Sequence, residues 1–164
     1  MQINDPLPPI TFQATSGVIK KFSDYQGKWL VLYFYPKDST PGCTIEGQHF
    51  RDAYPEFQAL NAEIFGISRD TLPSHERFKC KQQFPFELIS DENEELCQLF
   101  DVLKVKFFFG KSIHGIQRSS FLIDPQGQLC HEWRKVGVLK HVAEVLATLK
   151  QLQNELDAQS KILT

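Results

Sequence analysis

The stretch that decides the fold runs from residue 29 to residue 36 and reads Trp-Leu-Val-Leu-Tyr-Phe-Tyr-Pro. Seven consecutive apolar or aromatic residues predict a central strand covered on both faces, because a strand with one solvent face would alternate with polar residues. Pro36 ends the run, and the turn-forming segment 37–42 follows it. From Cys43 onward, apolar side chains keep the three-and-four spacing of a buried helix face. The core is therefore predicted to start with a strand, a turn and a helix.

The rest of the chain alternates between the two periodicities. The further predicted elements are strands over 62–68, 86–90, 119–123 and 128–133, and helices over 72–83, 93–103 and 138–156. Asp124-Pro125-Gln126-Gly127 has the turn chemistry of a β-hairpin. This order predicts an α/β fold of thioredoxin-like layout, in which helices flank a central mixed β-sheet on both faces. We expect residues 1–164 to form one domain, with a polar tail over 157–164 that frays.

The composition excludes several classes of protein. The hydrophobic fraction is 41% and the net charge is −2, so we expect a globular chain without a strong field for nucleic acid or anionic lipid. The N-terminus lacks a basic segment followed by an apolar run, and no apolar stretch reaches 18 residues. We therefore expect a soluble cytoplasmic protein with no secretory signal and no membrane span.

The four cysteines, Cys43, Cys80, Cys97 and Cys130, include no C-x-x-C pair. A zinc ribbon or a thioredoxin-type dithiol is therefore disfavoured. The five histidines are scattered, and we expect neither a metal nor an organic cofactor. Cys97 lies among apolar residues and Cys130 in a hairpin strand, so both are interpreted as structural.

Cys43 has an unusual position, because it opens a helix directly after a central strand and a turn. It shares a helical stripe with Gly47, Phe50, Tyr54 and Phe57, so its sulfur is expected to face inward from the first turn. Burial favours the neutral thiol, whereas a helix N-terminus and a nearby cation favour the reactive thiolate.

Residues 36–43, Pro-Lys-Asp-Ser-Thr-Pro-Gly-Cys, match the Pro-x-x-x-Thr-x-x-Cys signature of peroxiredoxins. The longer run over 33–52 resembles the peroxiredoxin Q branch, also called bacterioferritin comigratory protein. Residues 115–124, Gly-Ile-Gln-Arg-Ser-Ser-Phe-Leu-Ile-Asp, look like the second conserved block of that branch. The resemblance extends over about 5–149, which is nearly the whole chain.

The resemblance implies a role for five residues around the helix start. Cys43 would be the peroxidatic cysteine, and Arg118 would supply the cation that stabilises its thiolate. Thr40 would orient the peroxide, Pro36 would shield the sulfur from water, and Glu46 would hold the arginine in orientation. Backbone N–H groups of the first turn would stabilise charge on the leaving oxygen.

Each of these residues also has an ordinary structural interpretation. Thr40 is typical of a helix N-cap, Pro36 of a strand end, and Glu46 of a favourable charge in the first helical turn. Arg118 alone would be read as a solvated surface group. The functional interpretation is favoured because all of them surround one first-turn cysteine.

The resemblance also implies a second, resolving cysteine. Many members of the branch carry it five residues after the first, but Gln48 occupies that position here. Cys80 resembles the position used by another subset, and it is expected to point away from the core between Lys79 and Lys81. Cys97 is the weaker alternative. Because a disulfide needs Cα atoms about 4.4–6.8 Å apart, we expect local unwinding around both cysteines on oxidation.

The resemblance thus implies a monomeric thiol peroxidase that reduces hydrogen peroxide and small alkyl hydroperoxides and is recycled by thioredoxin. A one-cysteine peroxidase resolved by an external thiol and a thioredoxin-like binding module or holdase are the alternatives. A protein disulfide reductase is a weak third, since the chain has no C-x-x-C. Separately, Phe107-Phe108-Phe109 fits a pocket lip, a subunit contact or the core, and we favour the core.

Overall fold

The computed structural model describes residues 1–163, and the side chains of residues 18, 19, 108 and 163 lie outside the description. The strands are β1 (Thr11–Ala14), β2 (Val18–Lys21), β3 (Trp29–Phe34), β4 (Ala62–Ser68), β5 (Glu87–Ser90), β6 (Leu103–Phe108), β7 (Lys111–Ile116), β8 (Ser119–Ile123) and β9 (Leu129–Trp133). The helices are α1 (Pro41–Ala59), α2 (Leu72–Gln82), α3 (Glu95–Leu99) and α4 (His141–Leu163).

Seven strands form a mixed sheet in the order β2-β1-β5-β4-β3-β8-β9. The β3, β4 and β5 strands are parallel, and β8 runs antiparallel to β3. Parallel neighbours need crossover connections, which α1 and α2 provide here. The predicted α/β class with a central mixed sheet is confirmed. The register between β3 and β8 pairs Phe34 with Ser119, so the end of β3 and the start of β8 meet at one edge of the sheet.

All six residues of β3 are buried, because the sheet is covered on both faces. Val31 and Tyr33 belong to the core layer formed with α1, α2 and α4, where the Tyr33 ring stacks on Phe50 at 4.4 Å between centroids. Leu32 and Phe34 belong to the opposite layer, which includes α3. The continuous apolar run of the sequence therefore corresponds to a strand with two dry faces, as predicted.

Three sequence expectations are wrong at the level of elements. The helix expected over 93–103 covers only Glu95–Leu99, because Asp101 has a positive φ of 52° and the chain then enters β6. Val138 precedes the last helix, which begins at His141. The same helix ends at Leu163 and not at the expected residue 156, while the fraying expected for the tail stays a prediction. Thr164 lies outside the described residues. The other predicted bounds agree with the structure within two residues.

The antiparallel pair β6–β7 forms a separate two-stranded sheet that the sequence did not indicate. It carries the aromatic tripeptide, and Phe107 and Phe109 are 83% and 90% exposed. The core interpretation is therefore wrong for these two residues, while the side chain of Phe108 lies outside the described residues. Among the helices described here, none is both long and apolar enough to cross a membrane.

Candidate active site

Cys43 is the third residue of α1, and its side chain is only 2% exposed. The preceding loop carries the chain from the end of β3 to the N-terminus of α1, so the sulfur lies in the core layer that contains Tyr33 and Tyr35. Pro41 occupies the first helical position, where its missing N–H costs no hydrogen bond. The inward-facing position expected for the thiol in the first helical turn is therefore observed.

Arg118 immediately precedes β8, at the edge of the sheet where β3 ends. Its Nη2 donates to Cys43 Sγ at 3.5 Å, and its Nη1 donates to Glu46 Oε1 at 2.7 Å. The backbone of Arg118 is held because its carbonyl accepts from Val136 N at 3.0 Å. One guanidinium thus contacts both a thiol and a carboxylate, which uses the planar fork of donors that lysine lacks.

Glu46 lies three residues after Cys43, about one turn further along α1, and is completely buried. Burial raises the pKa of its carboxyl from the ordinary 4.5 to about 7, and the charge of Arg118 opposes this rise only in part. Its Oε2 and the hydroxyl of Tyr33 are buried polar atoms without a hydrogen-bond partner among the described residues. Burial, followed by the charge of Glu46, also raises the pKa of Tyr33.

Gly42 brings the helix close to the guanidinium. A Cβ at this position would lie 3.1 Å from Arg118 Nη2 and 3.6 Å from Val138 Cγ2. A side chain here would press against the group that contacts the sulfur, so the hydrogen atom of glycine leaves the necessary room. Val138, which precedes α4, therefore packs at the site itself.

Thr40 occupies the N-cap position of α1 by its backbone, whose carbonyl accepts from Thr44 N at 2.9 Å. Its hydroxyl does not cap the helix and instead donates to the Lys37 carbonyl at 2.7 Å. Thr40 is therefore the N-cap residue of α1, as expected, and its hydroxyl oxygen keeps lone pairs that can accept. Pro36 lies two residues beyond β3 and is exposed.

Cys80 lies in the last turns of α2 and is exposed, as expected from its place on the helix. The end of this helix is tied to α1, because Gln48 Nε2 donates to Gln82 Oε1 at 2.9 Å and Arg51 Nη1 donates to the Gln82 carbonyl at 2.9 Å. Gln48 thus makes a contact between the two helices. Both Cys43 and Cys80 are free thiols.

The other two cysteines lie in environments that disfavour reaction. Burial raises the pKa of Cys97 strongly, and the hydrogen bond and charge of Asp91 raise it further. Burial raises the pKa of Cys130 to about 12, and its thiol donates to the Leu122 carbonyl at 3.3 Å. Both remain neutral thiols at pH 7, which agrees with their structural interpretation.

His141 is a site neighbour that the sequence did not indicate. Its Nε2 lies 2.6 Å from Ser120 Oγ, and its ring packs edge-on against Phe50. Burial, followed by the charge of Arg118, lowers its pKa to about 4. The ring is therefore neutral at pH 7 and adds no second positive charge beside the guanidinium. A scattered histidine gives no sequence signal for such a position.

Asp38, Asp70 and His75 form one group whose possible metal-ligand atoms lie within 4.8 Å of one another. Hydrogen bonds already engage these atoms, since His75 Nδ1 lies 2.7 Å from Asp38 Oδ2 and Asp70 Oδ2 accepts from Asp38 N at 3.0 Å. A metal would have to displace the proton between ring and carboxylate. The arrangement is that of a buried hydrogen-bond network.

Comparisons with known proteins agree with this geometry. Residues 3–132 match the model of the AhpC/TSA family. The chain is 48% identical over 155 residues to peroxiredoxin Bcp of Bacillus subtilis, covering 94% of this chain and 99% of the relative. It is 49% identical over 148 residues to peroxiredoxin Bcp of Xanthomonas campestris, covering 88% and 92%.

Solved structures give the same result. The bacterioferritin comigratory protein of Xanthomonas campestris, whose structures concern alkyl peroxide reduction, superimposes with a TM-score of 0.85 at 47% identity over 88% of this chain and 92% of that chain. A peroxiredoxin Q mutant of Xylella fastidiosa gives a TM-score of 0.88 at 43% identity over 92% and 96%. The chain therefore belongs to the AhpC/TSA family and is a peroxiredoxin of the Bcp or peroxiredoxin Q branch, and thus a peroxidase.

Proposed function

We propose that Cys43 reduces hydrogen peroxide and small alkyl hydroperoxides as a thiolate. Its sulfur attacks the terminal peroxide oxygen, the O–O bond breaks, and the products are Cys43 sulfenic acid and an alkoxide or hydroxide. That leaving group takes one proton and departs as alcohol or water. The observation that carries the proposal is the 3.5 Å contact between Arg118 Nη2 and Cys43 Sγ, because a cation at this distance stabilises the anionic nucleophile.

The other groups at the helix start would act on the peroxide. Arg118 would also donate to the peroxide oxygens, and backbone N–H groups of the first turn of α1 would stabilise charge on the leaving oxygen. The Thr40 hydroxyl would accept from the peroxide O–H while it donates to Lys37. Pro36 would cover the entrance, consistent with its exposed position beside the loop. Glu46 would hold Arg118 through the bond of 2.7 Å.

Small peroxides suit this site because Cys43 is almost wholly buried, so only a narrow end of the substrate can reach the sulfur. The relative from Xanthomonas campestris, described for alkyl peroxide reduction, supports organic hydroperoxides as a second substrate class.

In the next step, Cys80 would attack the sulfenic sulfur, releasing water and forming a Cys43–Cys80 disulfide. A dithiol reductant of the thioredoxin type would return both thiols by disulfide exchange. Two observations support this role for Cys80, namely its exposure and its place on a helix that is tied to α1. Since Cys43 is buried in one helix and Cys80 exposed on another, both segments would unwind locally to bring the Cα atoms within disulfide range. The enzyme would act as a cytoplasmic monomer.

The competing functions differ in what they require of the two cysteines. A one-cysteine peroxidase would need Cys43 but not Cys80, and an external thiol would resolve the sulfenic acid. A binding module or holdase would need neither fast oxidation of Cys43 nor a resolving thiol.

Peptide mapping after one equivalent of hydrogen peroxide tests the nucleophile and the resolver together, and we expect a Cys43–Cys80 cross-link. In steady-state turnover with thioredoxin, Cys80→Ser should lose activity, whereas the matched variant Cys130→Ser should retain it. Persistent turnover of Cys80→Ser would support the one-cysteine mechanism. Slow oxidation of Cys43 by stoichiometric peroxide would support the binding module.

A further inference from the structure

Asp38 and His75 form a buried pair that joins the active-site loop to the helix that carries Cys80. Asp38 lies in the loop before α1, and His75 lies in the first half of α2. His75 Nδ1 is 2.7 Å from Asp38 Oδ2, and the two side chains are 0% and 3% exposed for histidine and aspartate. The pair is thus shielded from water and from salt, which screen surface ion pairs.

The partners of the histidine ring fix how many protons the pair holds. His75 Nε2 lies 3.0 Å from the Ile89 carbonyl, which can only accept, so Nε2 carries a hydrogen. Nδ1 faces a carboxylate oxygen, and a bond of 2.7 Å between them requires one more proton. Asp38 and His75 therefore share this proton and are together neutral, whichever of the two holds it.

Further bonds fix the carboxylate in place. The Tyr35 hydroxyl donates to Asp38 Oδ1 at 2.6 Å, and Ser74 Oγ donates to Asp38 Oδ2 at 2.8 Å. The backbone N–H of Asp38 donates to Asp70 Oδ2 at 3.0 Å, just beyond the end of β4. Because a buried network with all partners in place is rigid, the pair is expected to persist when neighbouring helical turns open.

The position of the pair along the chain relates it to both cysteines. Asp38 lies five residues before Cys43, and His75 lies five residues before Cys80. Phe78 is the one buried apolar residue of α2 between the pair and Cys80, so the second half of this helix has one apolar anchor besides the polar bonds of Lys79 and Gln82. The pair thus marks the boundary between fixed structure and the two segments that must unwind.

We propose that Asp38 and His75 form a fixed pivot about which the two cysteine-bearing segments move during disulfide formation. This inference rests on the proposed resolution of Cys43 by Cys80. Cys43 sulfenic acid and the Cys80 thiol react to form the disulfide and one molecule of water, while the pair stays closed. His75 acts as a positioning residue, since it contacts neither the peroxide nor a sulfur.

Tether length explains why a closed pair helps. Five extended residues reach at most about 17 Å, so each cysteine stays within a short radius of the pivot. Without the His75 bond, Asp38 keeps its bonds to Tyr35 and Asp70, so the tether to Cys43 is unchanged. The nearest anchor before Cys80 that does not rest on the Asp38 carboxylate is Asp70, whose carbonyl accepts from Ser90. The tether to Cys80 then grows from five to ten residues, and the total from ten to fifteen. Because closure probability falls as the three-halves power of total length, resolution should slow by up to about twofold.

A merely structural role makes the opposite prediction. If the pair only stabilised the folded form of α2, breaking it would ease unwinding, speed up disulfide formation and protect Cys43 from over-oxidation. Phe78→Leu provides this comparison, because it weakens the anchor beyond the pair and leaves both pair residues intact. We expect faster resolution in that variant.

The test compares wild type, His75→Phe, His75→Asn and Phe78→Leu in single-turnover stopped flow, with the fraction of Cys43 sulfinic acid measured by mass spectrometry. Both His75 variants should form sulfenic acid at the wild-type rate, but His75→Phe should form the disulfide up to about twofold more slowly and yield more sulfinic acid. His75→Asn, whose amide can still donate to Asp38, should lie between His75→Phe and wild type.

Disulfide formation at the wild-type rate or faster in His75→Phe would overturn the pivot. If His75→Phe does not fold, disulfide formation at the wild-type rate or faster in His75→Asn would overturn the pivot instead. If Cys80 does not resolve Cys43 at all, the result is different, because wild type would then form no Cys43–Cys80 disulfide after one equivalent of hydrogen peroxide.

Discussion

Arg118 contacts the sulfur of Cys43 from outside the cysteine's own helix, with Nη2 3.5 Å from Sγ. The two residues are 75 positions apart in the chain, and the antiparallel pairing of β8 with β3 brings them together. The guanidinium is partly buried, so solvent screens its charge less than it would at the surface. The charge balance of the site therefore depends on this contact and on the Glu46 carboxylate behind it.

Replacing Arg118 tests the contact directly. Arg118→Met should lower the second-order rate of Cys43 oxidation by about 10²–10³-fold, the range found when one charge-stabilising donor is removed from an active site. Arg118→Lys should recover only part of the rate, because one ammonium cannot bond the sulfur and Glu46 in the same plane. Stopped-flow fluorescence with hydrogen peroxide measures both.

Arg134→Met is the matched control, since Arg134 donates to the carbonyls of Phe100 and Asp101 and not to a sulfur. Its rate of oxidation should match wild type. Equal rates for Arg118→Met and Arg134→Met would refute the role of the guanidinium.

Glu46 should make the stability of the fold depend on pH. Its pKa is raised to about 7 in the folded protein, so the folded state binds the proton more tightly than the unfolded chain. The stability gained from this tighter proton binding is fully present below pH 4.5. As the pH rises to 7, the free energy of unfolding falls by on the order of 3 kcal/mol. Denaturant unfolding from pH 4.5 to 8 measures it, and Glu46→Gln should remove that part of the pH dependence. Parallel pH profiles for wild type and Glu46→Gln would contradict the raised pKa.

Much of the site could be predicted because its signals are local. The run 29–36 fixes a buried strand, the turn 37–42 places a cysteine in the first turn of the next helix, and one helical repeat aligns Glu46 with Cys43. Local patterns such as these depend on periodicity and turn chemistry, which a single sequence shows directly.

The rest depends on contacts between distant segments, which periodicity does not show. The short β1 and β2 strands have only four residues each, and β6–β7 lies apart from the main sheet with exposed aromatic residues. His75 and His141 are buried by partners far away in sequence, so their isolated positions gave no signal. Propensity also favoured helix through residue 103, but pairing of Leu103 with Ile116 ends it early.

Two glycines of α1 separate effects on the site from effects on the fold. Gly42→Ala adds a Cβ 3.1 Å from Arg118 Nη2, so the guanidinium must shift and the rate of Cys43 oxidation should fall by about tenfold, with stability nearly unchanged. Gly47→Ala adds a Cβ 2.4 Å from Phe84 Cζ, which should destabilise the fold by about 1–3 kcal/mol through overpacking. Stopped-flow oxidation and urea unfolding on both variants give the two readouts. If only Gly47→Ala slows the oxidation of Cys43, the roles given to the two glycines, Gly42 for the site and Gly47 for the fold, would be contradicted.

The exposure of Phe107 predicts that it contributes little to folding. Its side chain is 83% exposed on the β6–β7 pair, so Phe107→Ser should change the free energy of unfolding by about 0.5 kcal/mol or less. Phe100, fully buried beside Phe34 and Phe121, is the comparison, and Phe100→Ala should cost about 3–5 kcal/mol through lost burial and a cavity. Urea unfolding at fixed pH measures both variants. A loss of more than about 2 kcal/mol in Phe107→Ser would mean that the aromatic hairpin is packed in solution, either against this chain or against a second copy, and dilution of the protein would then distinguish the two.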